Sequence, residues 1–273
     1  MYYFYNSMSK YFLFIFFLIS QAGFSQIDLP HLSLDQISTS IVVLYDNECR
    51  LSGTGTLISH DNRYFIITAK HVASNLSNHA QVVFSFRKDS VPIKIDIIFI
   101  SKNLPTIWTH HPKADISSLE VEPINKDWEQ FLLQIAINSI RIPKSLDALM
   151  RGDETYFYGF PNFDINSPKI SPVSFSAEIS SIINSTKIFE SRVFESLQTN
   201  EYVEYFYLDK PSMQGASGSS VFVRATKSGS GIMRSHFSMT AMIGVITHTH
   251  SDNTGGKLGV VMPCYYIWDL ISK

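Results

Sequence analysis

Short runs of residues that alternate apolar and polar, or stay apolar, recur along most of the chain and predict β-strands. The first spans Ile37 to Tyr45, with Asp46-Asn47-Glu48 as its turn. Leu51 to Ile58 and Tyr64 to Thr68 then read as a hairpin around His60-Asp61-Asn62-Arg63, followed by one helical turn over Ala69 to Ser74. Gln81 to Phe86 and Ile93 to Ile100 continue the strand pattern. Between Pro123 and Arg151 the spacing changes, and Trp128 to Ile137 fits a helix that Pro143 closes off. Strands return from Glu154 and continue at Val173 to Ile179, Tyr202 to Leu208, Val221 to Ala225 and Met239 to His248, with Lys227 to Gly231 as a flexible loop tip. Tyr265 to Ile271 predicts a C-terminal helix.

Composition supports a folded chain with a large core: 13% of residues are aromatic and 17% charged. A formal net charge of −2 supplies no basic face, which excludes nucleic acid as the expected partner. At the N-terminus, Lys10 precedes the apolar run Tyr11 to Ile19, too short to span a bilayer, and Gly23 and Ser25 stand at the −3 and −1 positions of a signal-peptide cleavage site. Residues 1–25 therefore read as a signal peptide, and an exported (periplasmic or extracellular) protein without a membrane span is expected after cleavage. Export permits one disulfide between the only cysteines, Cys49 and Cys264, with two separate thiols as the alternative.

Three stretches carry nucleophile chemistry. Gln214-Gly215-Ala216-Ser217-Gly218-Ser219-Ser220 holds a serine between glycines whose backbone freedom lets amide groups converge beside its hydroxyl. A serine also needs a base, and Thr68-Ala69-Lys70-His71-Val72 ends an apolar strand on an imidazole, a side chain that titrates near neutrality. Asp115, ahead of the apolar-rich Ile116 to Leu119, offers a carboxylate to orient that imidazole, with Asp96 as its rival. His110-His111 and His248-Thr249-His250 lack partners at metal-ligand spacing, so neither a metal nor a cofactor is expected.

In this order the motifs resemble those of trypsin-like serine peptidases, nearest to the bacterial Deg/HtrA-like and glutamyl-endopeptidase-like branches. Gly53-Thr54-Gly55-Thr56-Leu57-Ile58 resembles the family's G-[ST]-G strand, Thr68 to Val72 its histidine motif, Asp115-Ile116 with Leu119 its aspartate motif, and Gly215 to Ser219 its serine motif. Gly152 to Pro161 resembles the strand that opens the second barrel. The resemblance implies an all-β fold of two six-stranded antiparallel β-barrels with a short C-terminal helix. It places a single peptidase domain over residues 30–273, with the first barrel at 35–122, a connection at 123–150, the second barrel at 151–262 and the helix at 264–272, leaving no room for a PDZ module. It also implies a serine endopeptidase whose catalytic residues are His71, Asp115 and Ser217, with the amides of Gly215 and Ser217 as oxyanion hole. Pro211, Met213, Thr247, His248 and Thr249 would line the pocket for a peptide or protein substrate. The oligomeric state is left open.

Two positions depart from the pattern. Ala216 replaces the usual Asp or Asn, which argues against activation by a freed N-terminus, and Ser220 stands where proline is common. These departures motivate an alternative, a catalytically inactive protease-fold module that binds peptides or proteins. An esterase is a weaker third reading, because the order His, Asp, Ser is not that of the α/β-hydrolases. At Pro211 there is no carboxylate to favour Lys or Arg in the substrate. His248 or His250 would favour an acidic side chain there if either lines the pocket, and the competing reading makes both surface histidines.

Overall fold

The computed structural model describes residues 32–48, 51–85, 91–105, 107–161, 163–187, 202–224 and 239–273. The signal peptide expected at residues 1–25, Cys49 and the loop tip at 227–231 lie outside the described residues.

The first described element is a helix, which takes up the first residues of the stretch expected as a strand. In α1 (Leu34–Thr39) the Ser33 hydroxyl accepts from Gln36 N and the Gln36 side chain accepts from Ser33 N, a reciprocal cap that satisfies amides a helix start leaves unpaired. β1 (Ile41–Asp46) follows, then β2 (Leu51–His60) and β3 (Arg63–Thr68), whose hairpin turn puts Asp61 at φ 46° and Asn62 at φ 61°. Two successive residues of positive φ match the right-handed twist of the flanking strands. After α2 (Lys70–Ser74) come β4 (Gln81–Phe84) and β5 (Ile93–Asp96). The strand expected through Ile100 stops early, because Ile97 and Ile100 are both buried at a helical spacing and form one turn, α3 (Ile97–Ile100). β6 (Thr109–His110) and β7 (Ser117–Val121) complete the order β5-β4-β1-β2-β3-β7-β6.

Helix α4 (Lys126–Ile135), capped by the Asn125 side chain, leads to β8 (Ile137–Asn138), which adds to β2 in parallel. The second sheet contains β9 (Glu154–Gly159), β10 (Val173–Glu178), β11 (Asn184–Lys187), β12 (Tyr202–Leu208), β13 (Ser220–Val223), β14 (Ala241–Ser251) and β15 (Lys257–Pro263), ordered β10-β9-β13-β14-β15-β12-β11. Among the described residues the sheets have eight and seven strands, yet each curls into a ring of six. In the first, the chain after α3 bridges back to β7, with Lys102 N donating to Glu120 O at 3.0 Å and Glu122 N to Ile100 O at 2.8 Å. In the second, Ile179 bridges to Leu208. Each ring thus closes through an isolated bridge and not through a full strand ladder.

Strands β1 and β3 of the first sheet are buried on both faces. Val42 and Leu44 of β1 and Ile66 of β3 pack in one cluster, while Ile41, Val43, Phe65 and Ile67 join the cluster that includes Phe157, Val221 and Phe222 of the second sheet. Alternation along a strand sends neighbouring residues to opposite faces, so the same strands fill the first ring and form the seam with the second. Helix α5 (Tyr265–Ile271) leaves β15 but reaches back to the first sheet: Arg63 Nη1 donates to Lys273 O at 2.8 Å. Among the described residues no helix is long and apolar enough to cross a membrane.

Cys264 is a free thiol, fully buried, with Sγ 3.1 Å from the Pro143 carbonyl oxygen to which it donates, and burial pushes its pKa up. Among the described residues Cys264 is unpaired, and Cys49, the partner that export would permit, lies outside them. The thiol is spent on packing and on that carbonyl.

Candidate active site

Strand register brings His71 and Asp115 together. β3 and β7 run antiparallel with Thr68 opposite Ser117, so the chain leaving β3 and the chain entering β7 share one end of the sheet. His71 N donates to Asp115 Oδ1 at 2.9 Å, and Nδ1 lies 2.7 Å from Oδ2. The carboxylate is fully buried, which alone would raise its pKa. Hydrogen bonds from the His71 side chain and backbone, with the charges of His71 and His248, outweigh burial and hold Asp115 below the usual carboxylate range.

Ser217 sits in the turn before β13, gripped by the first sheet. Thr54 N donates to Ser217 O at 2.9 Å and Thr54 Oγ1 to Gly215 O at 2.7 Å. Gly215 and Gly218 both have positive φ, 87° and 90°. A Cβ on Gly218 would lie 2.1 Å from Thr54 O and 2.2 Å from Thr68 Oγ1, so only glycine lets this turn press against β2 and β3. Within the turn the amides of Ala216, Gly218 and Ser219 donate to Met213 O, Ile246 O and Ala216 O. The amides of Gly215 and Ser217 donate to no group among the described residues.

The Ser217 hydroxyl donates to Thr247 O at 3.2 Å, and among the described residues no hydrogen bond joins it to His71. The two are linked around the site instead. His248 Nδ1 is 2.9 Å from Thr247 Oγ1 and 3.4 Å from Asp115 Oδ2, and its ring centroid is 5.0 Å from that of His71. Burial pushes the His248 pKa down, with the Asp115 carboxylate pulling the other way and His71 adding to the lowering.

Of the expected pocket residues, Thr249 Oγ1 donates to Ser212 O at 3.0 Å, tying β14 to the segment with Pro211 and Met213; Met213 is exposed and Pro211 half-buried. Thr247 is buried and His248 half-buried, turned toward the Asp115 carboxylate. His250 is exposed, its ring 5.8 Å from that of Tyr207. Asp96, the rival acid, instead accepts from Gln81 Nε2 of the facing strand at 2.8 Å.

His71, Asp115 and His248 offer ligand atoms within 4.8 Å of one another, a donor set that a metal also uses. The 2.7 Å between His71 Nδ1 and Asp115 Oδ2 is a hydrogen-bond separation. Two ligands at zinc distances in a tetrahedral site stand roughly 3.3 Å apart.

Three contributors escaped the sequence reading. Thr54 lies in a motif to which the sequence assigns no role, His248 is expected in the pocket and also approaches the Asp115 carboxylate, and His111, a metal candidate in the sequence, accepts from the amides of Lys113 and Ala114 beside Asp115. Register across distant segments is what unites them, and no local pattern announces it.

The model of the trypsin family matches residues 35–271. The Rv3671c protease from M. tuberculosis, active form, superposes with TM-score 0.53 at 15% identity, covering 88% of this chain and 82% of that one. Deg5 superposes with TM-score 0.53 at 15% identity over 87% of this chain and 90% of the other. A variant of the HtrA-type protease AlgW with tripeptide gives TM-score 0.54 at 15% identity, over 88% of this chain and 61% of that one. At such identity these likenesses concern the fold. No curated protein matches the chain in sequence.

Proposed function

The chain belongs to the trypsin family of serine endopeptidases, and on that premise we propose that it is an exported endopeptidase working through Ser217, His71 and Asp115. The observation that carries this reading is the pair of hydrogen bonds from His71 to the buried Asp115 carboxylate, which fixes one face of the imidazole. With Nδ1–H directed at Asp115, Nε2 is the basic nitrogen and is left to receive a proton.

The reaction follows from these groups. For the reaction the Ser217 side chain turns away from Thr247 O so that Oγ hydrogen-bonds to His71. Oγ attacks the scissile carbonyl carbon as its proton passes to His71 Nε2, and the C=O electron pair moves onto oxygen. The unengaged amides of Gly215 and Ser217 hold that oxyanion, each such donor being worth about 3 kcal/mol. Collapse breaks the C–N bond, and His71 gives its proton to the leaving amine. Water then attacks the acyl-serine ester with His71 again as base, releasing the acid and restoring Ser217. The residue before the scissile bond lies against Pro211, Met213, Thr247, His248 and Thr249.

A second reading, a peptide-binding module without turnover, is favoured by one observation: the Ser217 hydroxyl rests on Thr247 O and not on His71. A fluorophosphonate probe separates the two. Labelling of Ser217 that disappears in His71→Ala supports the peptidase, and no labelling across the accessible pH range supports the binding module. Export is tested by N-terminal sequencing of secreted material, which should begin at Gln26; a chain still starting at Met1 refutes cleavage.

A further inference from the structure

We propose that His111 is a positioning residue for Asp115, bracing from within the loop that presents the carboxylate. The proposal rests on the reading of Asp115 as the orienting acid. His111 is 3% exposed, and no step of the reaction uses it.

Its contacts surround Asp115 on the chain. His111 Nδ1 accepts from Ala114 N at 2.8 Å and Lys113 N at 3.1 Å. His111 N in turn donates to Ile116 O at 2.9 Å. The residues on both sides of Asp115 are therefore tied to one residue, by its imidazole on the N-terminal side and its own amide on the C-terminal side. Since Nδ1 accepts from two backbone donors, the ring proton belongs to Nε2, which donates to Asp269 Oδ2 on α5 at 3.1 Å. The Tyr266 ring, 4.8 Å away between centroids, closes the other side. Without the imidazole, the buried Ala114 amide loses its acceptor and the loop its filling, which frees Asp115 to drift from His71. A shift of about 1 Å in a catalytic group costs roughly 100-fold in rate.

The side chains of Asn and Gln provide the discriminating test. An Asn amide places an acceptor where Nδ1 stands, whereas a Gln amide reaches the Nε2 position. In purified full-length protein, His111→Asn should keep kcat within about fivefold of the parent, and His111→Gln and His111→Phe should lower it by about 10- to 100-fold with KM changed less than about threefold. The low-field proton resonance of the His71–Asp115 hydrogen bond reports the same positioning without turnover, and should persist in His111→Asn while broadening or vanishing in His111→Gln. If His111→Phe does not fold, the Asn and Gln pair decides alone. Equal kcat and equal resonances in the Asn and Gln variants overturn the role of His111. Loss of the resonance in the parent protein overturns the assignment of Asp115 and the brace with it, a failure distinguishable from the first.

Discussion

Thr54 holds the carbonyl oxygen of Gly215 through its hydroxyl at 2.7 Å, across 161 residues of sequence. Its backbone N–H takes the carbonyl of Ser217 at the same time. One residue of the first sheet thereby fixes the peptide group that follows each of the two amides assigned to the oxyanion. Thr54→Val keeps the shape of the side chain and removes the hydroxyl. It should lower kcat by about 10-fold or more with little change in KM, and lower stability by about 1–2 kcal/mol, measured by steady-state kinetics and urea unfolding.

Gly218 tests the fit of the nucleophile turn against the first sheet. An added methyl meets the Thr54 carbonyl oxygen at 2.1 Å on a residue whose φ is 90°. Gly218→Ala should destabilise the protein by about 3 kcal/mol or more and abolish fluorophosphonate labelling. A variant with the parent's unfolding midpoint and labelling rate would contradict the packing described.

Electrostatics at the edge of the first sheet give a pH signature. Glu120 accepts from Arg63 Nε at 2.8 Å and Nη2 at 2.7 Å and from Lys102 Nζ at 2.8 Å. The Arg63 hydrogen bonds, against the opposing effect of burial, lower its pKa to about 2 from an ordinary 4.5. A carboxyl whose pKa is lower in the folded state stabilises fully above the unfolded value, and that contribution is lost as pH falls from 4.5 through about 2. Arg63 and Lys102 are partly exposed, so screening limits the gain to about 2 kcal/mol near neutrality. Glu120→Gln should lose that amount near neutrality, and the gap to the parent should narrow toward about pH 2 in denaturant titrations.

Thiol chemistry checks the arrangement around Cys264. Buried and donating to Pro143 O, it should resist a thiol reagent until the chain unfolds. Unfolding without reductant should then expose two reactive thiols, Cys49 and Cys264, whereas a count of none would mean that they are paired.

Much of this architecture was legible as local pattern. The hairpin of β2 and β3, the change of spacing before α4 and helix α5 all follow from apolar periodicity and turn residues. The strand expected from Ile37 begins instead at Ile41, because the reciprocal cap of Ser33 and Gln36 draws Ile37 to Thr39 into a helix although β-branched residues there favour a strand. Ile97 to Ile100 was misread because a wholly apolar run has no period of its own. Residue types and motif order indicated His71, Asp115 and Ser217, but not that the Ser217 hydroxyl turns to Thr247. The surroundings of Asp115 were illegible for a simpler reason. His111 binds backbone amides, which carry no residue identity, and His248 approaches through a strand far along the chain.

The docking of α5 on the first sheet sets an order of assembly. His111 and its partner Asp269 are separated by 158 residues, so a chain emerging from synthesis or a translocation pore carries the loop of Asp115 long before the helix that steadies it arrives. The surroundings of Asp115 are thus completed only once segments 158 residues apart have both been made and have met.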